Sequence, residues 1–181
     1  MFVQAVAIGT LPPHAQVGGE AISLVLRRMD GDGHTLQQEL DRGFRDMELR
    51  QPHLSEFLAE ELSCTSDPAV QTLSFFLLVV IYRAFCEAFG NRLGAVGRAE
   101  ITLLARRLIA DGELRNSGHL GDSYSEDIIA LGQPALVHLM RNELERVVPA
   151  AEEVAPGWRE AEPLYEALLL EILALSHAVD P

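Results

Sequence analysis

Apolar residues recur along most of this chain at spacings of three and four, the period of a helix with one buried face. Ile22, Val25, Leu26 and Met29 form the first such stripe, which "MDGDG" then stops. Leu36, Leu40, Phe44 and Met47 form the second, with Thr35 placed to cap it. Pro52 opens a third carrying Leu54, Phe57, Leu58 and Leu62, since proline suits the first turn, where its missing N–H has no intrahelical partner. Ile101, Leu104, Ala105 and Leu108 mark another helix, and Pro134 leads Leu136, Val137, Leu139, Met140, Leu144 and Val147. A short helix is expected around 127–131.

Two segments depart from this one-faced pattern. From Pro68 to about Phe89 the chain is apolar on all sides as far as Tyr82, and a helix hydrophobic all round is buried all round. Ser66 or Asp67 can cap it. The last helix, expected from Pro163 to about Ala178, is also strongly apolar. Before the first stripe, "FVQAVAI" fits a short strand or an apolar arm, and "GTLPPHAQVGG" is a turn-rich break. The sequence therefore predicts an all-α, compact bundle of about seven helices, forming a single domain over 1–181.

One pattern is longer than a helix. At an offset of 82 residues, "MELRQPHLSEFLAEEL" and "IALGQPALVHLMRNEL" share Leu49/Leu131, Gln51/Gln133, Pro52/Pro134, Leu54/Leu136, Glu61/Glu143 and Leu62/Leu144. Matching leucines are weak evidence, because any two amphipathic helices align them. The shared Gln-Pro and Glu-Leu say more, as does the acid–Pro pair that precedes a very apolar helix in each case: Asp67–Pro68 and Glu162–Pro163. The expectation is two duplicated helical units, over 34–90 and 121–179, packed as a closed pair and joined by a polar connection at 112–127. Two copies are fewer than an open solenoid needs.

Composition narrows the function classes. The chain carries 27 acidic residues against 14 basic ones, all of them Arg, for a net charge of −13. That balance repels a phosphate backbone, so no nucleic-acid partner is expected. Arg92, Arg98, Arg106 and Arg107 cluster locally, and ordinary ion pairs on a solvated helix face account for them. The most apolar run, 73–82, falls short of the roughly 20 residues that span a bilayer, so no membrane insertion is expected. Cys64 and Cys86 lack CxxC spacing and do not make a disulfide framework. With no export signal legible at the start, cytoplasmic localisation is the expectation.

Candidate chemistry is sparse. The loop "DGDGHTLQQELD" places His34 and Thr35 where a calcium loop needs an oxygen ligand and a glycine, so cap and turn chemistry explains it better. Glu-x-x-His, the helical-bundle metal signature, does not occur, and the reversed pair His53–Glu56 fits the exposed start of a helix. No metal and no cofactor are expected. The candidates for acid–base work are His119, Asp122 and Tyr124, which could supply a base, an orienting acid and a hydroxyl from the polar connection. A solvated linker explains them better. His138 and His177 fall where core-edge or surface positions are ordinary.

These features point to a non-catalytic protein-interaction or regulatory protein that docks through helical surfaces to another protein or to itself as a homodimer. Its acidity suits a basic partner, such as a basic toxin in an immunity pairing. The alternative is a helical small-molecule-binding protein or small enzyme with a pocket between the two halves, reached by groups from 112–127.

Overall fold

Each helix of this protein begins or ends where the local chemistry supplies a boundary. In the computed structural model, which describes residues 10–116, 125–147 and 156–181, these boundaries delimit eight α-helices. They are α1 (Gly19–Met29), α2 (Gly33–Arg50), α3 (Pro52–Ser63), α4 (Pro68–Phe89), α5 (Arg98–Asn116), α6 (Ser125–Gly132), α7 (Pro134–Val147) and α8 (Pro156–His177). The expected all-α bundle is what the chain forms, with no strand among the described residues. Residues 1–9, where an arm or strand was expected, lie outside the described residues.

Capping sets several of these ends. Asp67 caps α4 by accepting the N–H groups of Ala69 and Val70 at 2.8 and 3.2 Å. At α2 the cap is Asp32 rather than Thr35: Asp32 Oδ1 accepts from Thr35 N at 2.8 Å, and that bond lowers the carboxyl's pKa. The spacing that placed Thr35 at the start is that of the donor three residues inside the helix. Gly90, at φ 54°, ends α4 in a backbone conformation that favours glycine.

Three expected boundaries move. Helix α8 starts at Pro156, and Pro163 lies inside it. Both prolines follow residues that resemble a helix start. Packing decides between them, because Ala161 and Leu164 are buried against Val70 and Leu62 and hold the chain helical on both sides of Pro163. Helix α5 continues to Asn116 and α6 begins at Ser125, so both ends of the polar connection 112–127 are helical. The turn-rich stretch before α1 is core rather than spacer, since Leu11, Ala15 and Val17 are buried.

The two apolar helices are the hubs. Helix α4 packs against α1, α2, α7 and α8, and α8 packs against α3, α4, α5 and α6. Between 77 and 85 every residue of α4 except Arg83 is buried, as is every residue of α8 between 167 and 176. One continuous hydrophobic core joins them. The stretch Pro68–Arg92 is, at 25 residues, long and apolar enough to cross a membrane, a length that the shorter run 73–82 does not reveal. Here it is wrapped by helices instead. Gly43 allows α2 to come close to it: a Cβ at that position would sit 2.5 Å from Val79 Cγ1.

The remaining helices cross between the hubs. Helix α7 packs on α1 and α4, while α3 packs on α5 and α8, so the chain makes two three-helix junctions, α1–α4–α7 and α5–α8–α3. Where the hub helices end, Leu93 and Val179 form an antiparallel bridge, with Gly94 N donating to Ala178 O and Asp180 N donating to Arg92 O, both at 2.8 Å.

Candidate functional site

Gln51 and Gln133 are the buried polar centres of the two junctions. Each interrupts the chain between two helices, donates its backbone N–H at 2.7 Å four residues back, to Met47 O or Ile129 O, and precedes an exposed proline. Each also uses both ends of its side-chain amide on a neighbouring loop. Val96 N donates to Gln51 Oε1 at 2.8 Å, and Gln51 Nε2 donates to Gly94 O at 2.7 Å. Val17 N donates to Gln133 Oε1 at 2.8 Å, and Gln133 Nε2 donates to Ala15 O at 2.5 Å. The side chain thereby pairs with two backbone groups of a loop that no strand satisfies, which is how a buried loop becomes tolerable. Gln133 donates in addition to Ser176 Oγ at 2.9 Å.

The shared Gln-Pro was legible as a repeat signal, but the clasp made by each glutamine was not. The signal that could have found it lies in the clasped loops. At an offset of 79, "VGGEAISLVLRRMDGDG" and "VGRAEITLLARRLIADG" share Val17/Val96, Gly18/Gly97, Ile22/Ile101, Leu24/Leu103, Arg27/Arg106, Arg28/Arg107, Asp32/Asp111 and Gly33/Gly112. Burial follows the same correspondence: Val17 and Val96, Ile22 and Ile101, Val25 and Leu104, and Met29 and Leu108 are all buried. At the offset of 82, Leu49 and Leu131 are exposed to 83% and 82%.

The junction held by Gln51 contains a cleft. Helix α3 contributes Phe57 and Glu61, α5 contributes Ala105, Leu108 and Ile109, and α8 contributes Pro163, Glu166, Ala167 and Leu170. Spacings of three and four put each set on one face of its helix, and the three faces enclose about 130 Å³. An ion pair between Arg98 Nη2 and Glu56 Oε2 at 2.5 Å ties the start of α5 to α3. The lining is aliphatic and aromatic except for Glu61 and Glu166, and Ile109 is 56% exposed. The match at an offset of 79 pairs Ala105 of α5 with Leu26 of α1, and both side chains pack against the core.

Two polar clusters brace the hub helices. Tyr82 Oη on α4 donates to Asp46 Oδ2 on α2 at 2.7 Å. Burial raises the Tyr82 hydroxyl and pushes the neighbouring Cys86 thiol up. Arg50 reaches the same place, donating to Cys86 Sγ at 3.7 Å and Gly90 O at 3.2 Å. On α8, Tyr165 Oη donates to Glu126 of α6, and Arg141 of α7 donates to the same carboxylate at 2.5 Å. Burial, then that hydrogen bond, pushes Tyr165 up to about 12. A tyrosine of a hub helix thus anchors to an acid of a covering helix in both places. Glu171 of α8 is the exception: it is fully buried, neither carboxyl oxygen has a hydrogen-bond partner, and desolvation raises its pKa well above the ordinary value.

His119, Asp122 and Tyr124 lie outside the described residues. His53 is exposed, and Glu56 pairs with Arg98 rather than with it. Among the clustered arginines, Arg92 stands over the Phe89 ring at 5.5 Å and Arg106 is exposed. His138 and His177 are both exposed, and His138 shares a hydrogen bond with Asn142. No group of three or more His, Cys, Asp or Glu side chains is placed to hold a metal ion among the described residues. Comparison with family models, with curated proteins and with solved structures gives no match to this chain.

Proposed function

We propose that this chain is a non-catalytic docking protein of the cytoplasm, built from two related helical units, that holds a partner protein in the α3–α5–α8 cleft. The size and lining of that cleft carry the reading. Pockets for small molecules and cofactors typically enclose about 300–1,000 Å³ with a few convergent polar groups. A cleft of about 130 Å³ with aliphatic walls and an exposed Ile109 at its edge accommodates one large apolar side chain of a partner instead. Buried apolar anchors of this kind dominate helix-in-groove recognition.

The relation between the units is supported by the second sequence match, by the parallel use of Gln51 and Gln133, and by the helix pairing common to both junctions. On this reading each unit supplies the glutamine that closes on the loop leading into the other's first helix. On the same reading Ala105 lines the docking cleft at the position matched by Leu26 in the other unit.

The test is affinity purification from the native cell with the wild-type chain and with Ala105→Leu side by side, followed by mass spectrometry and by sedimentation of the purified chain. Docking predicts a partner, or a second copy of the chain, that the wild type retains and Ala105→Leu loses. Equal retention by both removes the cleft from the function, and a monomer that retains nothing overturns the docking reading.

A further inference from the structure

We infer that Glu171 is a proton-sensitive latch beneath α3: protonated it stays in the core, and on losing the proton it reaches water by releasing α3 from α8. The inference is independent of the docking reading. It begins with where this side chain sits.

Glu171 is fully buried on α8, and neither of its carboxyl oxygens has a hydrogen-bond partner among the described residues. Its place on the helix says which neighbour covers it. Pro163, Glu166, Ala167 and Leu170 face the cleft, whereas Ala161 and Leu164 pack with Val70 of α4 and Leu62 of α3. Glu171 lies four residues after Ala167 and seven after Leu164, so it falls between these two faces. Helix α3 spans the same gap, with Phe57 and Glu61 at the cleft and Leu62 beside Leu164. On α4, one turn beyond Val70, the Ser74 hydroxyl is also buried without a partner among the described residues.

The described charges on the helices packed against α8 lie elsewhere. From α3, His53, Glu56 and Glu60 are exposed and Glu61 stands at the cleft. From α4, Tyr82, Arg83 and Cys86 face α2, where they meet Asp46, Gly43 and Arg50, and Glu87 pairs with Arg28 of α1. From α5, Arg98 pairs with Glu56, Arg106 is exposed, and Glu100 and Arg107 are half-buried. From α6, Glu126 is held by Tyr165 and Arg141, and Asp127 is exposed. None of these groups acts on Glu171, whose pKa is raised by desolvation alone.

An unpaired carboxylate in this position is far more costly than the protonated acid, so ionisation and closure exclude one another. Helix α3 is the cover that can yield. Three of its twelve residues, Leu54, Ser55 and Leu58, are buried. Its ion pair between Glu56 and Arg98, and the bond from Gln71 Nε2 to Leu62 O at 3.1 Å, are exposed. Below the ordinary carboxyl range, near 4.5, both the closed and the open forms carry the proton. Above it only the open form ionises, so its population rises about tenfold per pH unit until the raised pKa of the closed form is reached. Because α3 and α8 are two walls of the cleft, the same proton sets whether those walls meet.

The experiment is hydrogen exchange of the full chain followed by mass spectrometry, with Glu171→Gln and Glu171→Leu beside the wild type. Exchange is corrected for the intrinsic rate at each pH to give protection. Between about pH 5 and 8, wild-type protection over 54–62 is expected to fall about tenfold per pH unit, and to stay level in both variants. Helices α1 and α7 should keep pH-independent protection in all three proteins. Both variants are uncharged, and the leucine keeps the readout if the amide unsettles the core. Wild-type protection over 54–62 that does not change with pH overturns the latch. A fall shared equally by α1 and α7 also overturns it, because the proton then acts on global unfolding alone. So does a fall that persists in both variants, which assigns it to another group.

Discussion

The two junctions of this protein each join three helices around a buried glutamine, and they differ in how fully that glutamine is bonded. At α1–α4–α7 the clasping glutamine, Gln133, makes three side-chain hydrogen bonds, all buried, and Leu26 packs against the core. At α5–α8–α3, Gln51 makes two, one of them to the half-buried Gly94, and Ala105 lines a cleft. The more fully bonded glutamine thus stands at one junction and the cleft at the other. A buried polar clasp holds the neighbouring elements in register in both.

The largest expected effect follows from the clasps. Gln133→Leu strands the buried Val17 N–H and Ala15 C=O and should cost about 3–5 kcal/mol, since each unsatisfied buried group costs about 1–3. Gln51→Leu should cost less, about 2–3 kcal/mol, because the Gly94 carbonyl can reach water. Urea denaturation of the two variants would decide it. Equal costs, or the reverse order, would show that the Gln133 junction is not the better braced of the two.

Glu171 separates the hubs in a second way, because the buried residues of α4 include no acid. Its folded-state pKa is raised by desolvation, so folding favours the protonated form. Below the ordinary carboxyl range both folded and unfolded chains carry the proton, and stability is at its full value. As pH rises above about 4.5 the unfolded chain ionises and the folded one does not, so stability falls by up to about 1.4 kcal/mol per pH unit until the raised pKa is reached. Glu171→Gln should remove that slope, and its advantage over the wild type should grow from acid to mildly alkaline pH in denaturation curves. A constant difference across pH would mean that Glu171 finds a partner for its charge.

The smallest effect concerns the matched positions 26 and 105. Leu26→Ala, at a half-buried position, should cost about 1–2 kcal/mol in urea denaturation. No measurable loss of stability would show that the bulk of Leu26 does not brace the first junction.

Much of this architecture could be read in advance, and particular residues show why. Met47, Leu54, Leu58, Leu136 and Met140 fall on helical stripes, and burial of those stripes is the only inexpensive arrangement for them in water. The start of α8 was not legible, because Pro156 and Pro163 satisfy the same local rule and only the packing of Ala161 and Leu164 against Val70 distinguishes them. The cleft was hidden for a different reason: Ala105 and Leu108 look like any core-facing stripe until the helices meant to cover them are placed.

The sequence by itself determined which segments are helical, which faces are apolar, and that two of the helices must lie at the centre. Those properties follow from local periodicity and the cost of exposing aliphatic surface. It also held, in Val17 and Val96 and in Gln51 and Gln133, the correspondence between the junctions, though not its meaning. Only the tertiary structure decided that each glutamine closes on a distant loop, that Glu171 is left without a partner, and that three stripes stop short of meeting around Ala105. Those outcomes depend on which surfaces face one another across helices far apart in the chain, and no local pattern encodes that distance.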